Sequence, residues 1–97
     1  MNVSATYPSF TATKAAGNPL AQTVRVTGNI ERWKVTNIFN TSWLRISPNA
    51  GYGEGIFTIS VNIYDTSVVL GTQTGVLLVD SLDPEITMIV SLTVSAV

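Results

Sequence analysis

Residues 56–64 set Phe57, Ile59, Val61 and Ile63 on alternate positions, with Thr58, Ser60 and Asn62 between them. Side chains two apart share a face on an extended strand and scatter around a helix, so this stretch has one apolar and one watered side only if it is β. The end of the chain repeats the pattern: Ile86, Met88, Val90, Leu92 and Val94 alternate with Thr87, Ile89, Ser91, Thr93 and Ser95. No segment shows a helical period. A chain made of one-sided strands has to lay two sheets face to face, because each apolar face needs another to cover it.

Turn residues divide the remainder. Strands are expected at residues 7–14, 21–27, 30–36, 43–47, 56–64, 73–79 and 86–95, about seven in all at the spacing of an immunoglobulin-like, two-sheet antiparallel β-sandwich. Pro8 assigns the first of these to a sheet edge, since proline has no N–H for a ladder. Residues 43–64 read as strand, glycine turn, strand: Pro48 ends the first run, and Gly51, Gly53 and Gly55 bend the backbone before the second begins. Trp33 alternates with Arg32 and Lys34 and is expected to fill the space between the sheets. At 97 residues there is room for one core, with residues 1–6 as an N-terminal arm and 7–97 as a single sandwich. Val68, Val69 and Leu70 are expected to tuck against that sandwich.

Composition removes several functions. Charged residues make up only 11% of the chain and the net charge is −1, so there is no basic field for nucleic acid. No apolar run approaches the ~18 residues of a membrane span, and membrane insertion is not expected. The first residues lack the basic and apolar regions of a signal peptide, so export by that route is not expected if Met1 is the native start, and a domain cut from something larger is expected if it is not. Cysteine and histidine are both absent, which removes thiolate metal sites, disulfides and the commonest general base. Carboxylates are left. Asp80, Asp83 and Glu85 share one short turn, and Asp65 is expected at the opposite end of the sandwich, so no pair faces across a cleft as a glycosidase requires. The same turn falls short of the six to eight oxygens of a calcium site. No catalytic residue, metal or cofactor is therefore assigned.

Surface contacts remain. An exposed aromatic ring beside polar side chains suits a glycan, and Trp43, Tyr52 and Tyr64, with Asn40 and Asn49 as polar neighbours, are the candidates. Tyr52 stands between two glycines, where a large ring has no core duty unless it folds back onto Trp43. If Gly75, Leu77 and Val79 point inward, Val76 and Leu78 point outward and meet Ile89 on the next strand, an aliphatic patch suited to a protein partner. Residues 1–6 carry little to hold themselves down, so Met1, Asn2 and Val3 join that candidate protein interface.

These landmarks resemble the BACON family, an immunoglobulin-like module of gut Bacteroidetes proteins also met in phages of those bacteria. Asn29 and Trp33 match its first landmark, Trp43, Leu44, Ile46, Ser47 and Pro48 its second, and Gly51, Gly53 and Gly55 its turn, so that the likeness runs from about residue 9 to 94. The resemblance implies carbohydrate binding, or a spacer's role, and the residues assign no catalysis. The first reading is a structural or attachment protein, a small decoration subunit seated on a larger assembly such as a phage capsid or virion, with capsid or tail proteins as partners. The alternative is a carbohydrate-binding or spacer module of a secreted Bacteroidetes glycan-degrading protein. Either implies a virion or an extracellular surface as the place of work.

Overall fold

The structure, a computed structural model, describes residues 1–81 and 85–96; Leu82, Asp83 and Pro84 of the acidic turn lie outside the described residues, as does Val97. Among the described residues, nine strands form two sheets. The four-stranded sheet runs β1 (Asn2–Val3), β3 (Gln22–Thr27), β7 (Gly55–Val61) and β5 (Leu44–Ser47). The five-stranded sheet runs β2 (Ser9–Thr13), β9 (Ile86–Ser95), β8 (Gly71–Asp80), β4 (Arg32–Asn37) and β6 (Ala50–Tyr52). All expected strands are present, with ends shifted by up to three residues, β8 being longer than expected and β9 unchanged, and the two additions, β1 and β6, are too short for alternation to reveal.

The core lies between the sheets where the alternation pointed. Phe57, Ile59 and Ile63 from the four-stranded side meet Leu77, Val79, Met88, Val90 and Leu92 from the five-stranded side, all fully buried. Burying side chains of this size contributes roughly 1.5–3 kcal/mol each. Trp33 closes one end of the core, its ring centroid 5.8 Å from that of Phe57 and tilted by 42°. Its Nε1–H, which would be costly to strand in an apolar interior, donates to the Gly53 carbonyl at 3.0 Å.

Two expectations about connectivity are corrected. The N-terminal arm, residues 1–6, is held by its own domain rather than by a partner: β1 pairs with β3, and the Ser4 N–H donates to the Arg25 carbonyl at 3.0 Å while the Arg25 N–H donates to Ser4 Oγ at 2.9 Å. Met1 and Val3 pack against the core. The chain then crosses to the other sheet, where the Thr6 and Pro8 carbonyls accept from Ile89 and Ser91, and β2 runs parallel to β9. The sandwich is thus antiparallel except at this pair. β2 is an edge strand, as Pro8 required.

The second correction concerns residues 43–64. β5 and β7 do pair antiparallel, with Leu44 opposite Val61 and Ser47 opposite Thr58. The glycine segment between them, however, leaves that sheet: β6 pairs with β4 of the opposite sheet, setting Gly51 against Trp33 and Tyr52 against Arg32. A Cβ on Gly51 would lie 2.5 Å from the indole, so only glycine lets β6 pass so close. Gly53 follows with φ of +69° and donates its N–H to the Glu31 carbonyl. What reads as a turn is a strand that changes sheets.

Candidate ligand-binding site

Crossing to β4 makes β6 the edge of the five-stranded sheet and raises a groove there of about 510 Å³, lined among others by Arg32, Lys34, Ala50, Tyr52, Asp80 and Ser81. The register explains its shape. Lys34 stands opposite both Ala50 on β6 and Asp80 on β8, and Arg32 stands opposite Tyr52. Small Ala50 leaves space beside Lys34, while Tyr52 rises at the end of the strand with 89% of its surface exposed. Neither the Arg32 nor the Lys34 side chain has a hydrogen bond or ion pair among the described residues. Among the described residues, the groove combines an open aromatic face, two long cations and one carboxylate, and its volume falls in the range of small-molecule sites, roughly 300–1,000 Å³.

The five expected glycan residues do not come together. Tyr52 and Asn49 are exposed at the β6 edge, and the Tyr52 ring does not fold back onto the protein. Asn40 and Tyr64 are exposed on loops at the other end of the strands. Trp43 is only 4% exposed and belongs to the core, which removes it as a stacking platform. It precedes β5, in a turn whose carbonyl accepts the Asn62 N–H, so strand parity does not govern it and Trp43 and Leu44 are buried side by side. Arg32, Lys34 and Asp80 were not among the expected site residues. Alternation alone places Arg32 and Lys34 on the outer face of β4; their meeting with Tyr52 depends on the β4–β6 pairing.

The loops opposite the groove are fastened to one another. Asn18 Oδ1 accepts from the Ile63 N–H at 2.8 Å, and Ser42 Oγ donates to Asp65 Oδ1 at 2.9 Å. The hydroxyl and N–H of Ser67 donate to the same oxygen, and these bonds, the Ser67 hydroxyl foremost, stabilise the charged carboxylate and hold the Asp65 pKa below its ordinary value. Of Val68, Val69 and Leu70, only Val68 tucks inward. Asp65 precedes β8 and Asp80 ends it, so the two carboxylates lie at opposite ends of the domain as the strand lengths implied. Among the described residues, no group of three acidic side chains is placed to share a metal ion.

Of the expected protein interface, Val76 and Leu78 are half-buried and Ile89 is 39% exposed. Val76 stands directly opposite Ile89, so the outward aliphatics do adjoin. Met1 and Val3 are occupied by their own core, leaving Asn2 as the exposed member of the N-terminal set.

This architecture defines an all-β, immunoglobulin- and MSP-like sandwich. No family model matches the chain, and no curated protein is detectably similar in sequence. Solved structures do match. A Bacteroides ovatus GH5 xyloglucanase, solved with a XXXG heptasaccharide, superposes with a TM-score of 0.75 at 22% identity, covering 97% of this chain and 19% of the xyloglucanase. The periplasmic chaperone SfaE matches with a TM-score of 0.65 at 10% identity, over 99% of this chain and 57% of the chaperone. A Caenorhabditis elegans MSP family member, WR4, matches with a TM-score of 0.58 at 17% identity, over 97% and 96% of the two chains. The chain therefore spans about a fifth of the xyloglucanase that it resembles, and the shared property is the fold.

Proposed function

We propose that this chain is a non-catalytic accessory module of a glycan-degrading protein, working at an extracellular surface and touching saccharide through the β4–β6 groove. The observation that carries this reading is Tyr52, a ring with no packing role held open beside Arg32 and Lys34 in a groove of ligand size. The backbone likeness to a segment of a Bacteroides xyloglucanase supports it, as do the BACON landmarks from Asn29 to Gly55. Affinity electrophoresis against a panel of soluble plant and bacterial polysaccharides tests the reading. Retention by at least one polymer, lost in Tyr52→Ala, is the expected result. A chain retarded by none of them would be a spacer and would end the contact role.

A second reading, a subunit decorating a larger particle such as a capsid, is favoured by the adjoining Val76, Leu78 and Ile89 side chains on the outer face of the five-stranded sheet. That face would have to serve alone, because the N-terminal segment is engaged within its own domain.

A further inference from the structure

The groove narrows the kind of saccharide. We infer that it takes a glycan bearing carboxylates, a uronic-acid chain, rather than a neutral one; this rests on the accessory-module reading above and specifies its ligand. Two of the five cations in a chain of net charge −1 project into this one groove. Neither is neutralised by an ion pair among the described residues, and Asp80 opposite Lys34 is the carboxylate lining the same groove among them. Leaving an arginine and a lysine side by side without partners costs repulsion that a bound anion relieves. A guanidinium matches a carboxylate through two parallel hydrogen bonds, and the more mobile ammonium of Lys34 reaches the same group or its neighbour along the chain.

The remaining groups select a sugar over other anions. A pyranose has an apolar C–H face that suits the flat, exposed ring of Tyr52, and hydroxyl donors that suit the acceptor oxygens of Asp80. A uronic acid offers all three features within one residue: carboxylate, C–H face and hydroxyls. An acidic peptide offers carboxylates without the flat C–H face set beside each of them. Nor is β6 a good template for an added peptide strand, since it spans three residues between Asn49 and Gly53 and offers few ladder bonds.

Isothermal titration of the full chain with a hexameric oligogalacturonate, and with the same hexamer methyl-esterified, separates charge from shape. The acid is expected to bind about tenfold or more tightly than its ester, and to weaken as salt rises. An Arg32→Gln, Lys34→Gln double variant should remove that preference, and Tyr52→Ala should weaken both ligands. All three positions lie on the outer face, and an unchanged thermal midpoint confirms that the variants fold. Equal binding of acid and ester, indifferent to the double variant, would overturn the inference while leaving the accessory-module reading in place. Polyglutamate binding as tightly as the oligogalacturonate would overturn the saccharide class. Binding of neither hexamer, together with no retention on the polysaccharide panel, would remove both readings.

Discussion

Gly51 and Gly75 are both glycines on strands, and a methyl on either would meet the core, yet the consequences differ. A Cβ at Gly51 would lie 2.5 Å from Cζ2 of Trp33, a rigid ring held by its bond to the Gly53 carbonyl and by contact with Phe57. A Cβ at Gly75 would meet a terminal methyl of Leu44 at 2.8 Å, which a small χ2 change moves aside. Gly51→Ala is therefore expected to cost about 1–3 kcal/mol in urea unfolding, the cost of overfilling a packed site. Gly75→Ala should come close to neutral, since the loss of backbone freedom in the unfolded chain offsets the adjustment. Trp33 was legible as a core residue because it sits mid-strand, where parity is reliable. Trp43 was not, because it precedes its strand and the Asn62–Trp43 hydrogen bond, not the pleat, sets its direction.

Among the elements, β7, β8 and β9 could be read from alternation because each is long enough to repeat its pattern several times. β1 and β6 hold two and three residues, and their existence depends on partners distant in sequence. The N-terminal segment shows the consequence. Its few apolar atoms looked insufficient to tie it down, yet pairing with β3 supplies the hydrogen bonds and lets Met1 and Val3 reach the core. Deleting residues 1–5 is expected to lower the stability of the isolated domain by about 2 kcal/mol, for the apolar surface returned to water. It also bares the edge of β3, so concentration-dependent association should appear in size-exclusion chromatography. Unchanged stability would show that this crossing strand is ornamental to the fold.

For the whole molecule, the two functional readings use different regions of one sheet, the edge groove and the central aliphatic patch, and they can be told apart. If the chain decorates a particle, Leu78→Asp should reduce its occupancy there, counted from stained gels of purified particles, and Tyr52→Ala should leave occupancy unchanged. The reverse pattern would exclude the patch as the seat. By itself the sequence determined that two sheets close around Trp33, Phe57 and the alternating aliphatics, because burial on a strand is a local, period-two property. For Tyr52 it left two outcomes, a ring folded back onto Trp43 or one standing open, and the fold decided for the open one. Only the tertiary structure decided that β6 crosses to β4, that the N-terminus is a strand, and that Arg32, Lys34 and Asp80 share a groove with Tyr52. Those are matters of which strand lies beside which, and strand neighbours are chosen by closure of the whole sandwich rather than by any pattern within one segment.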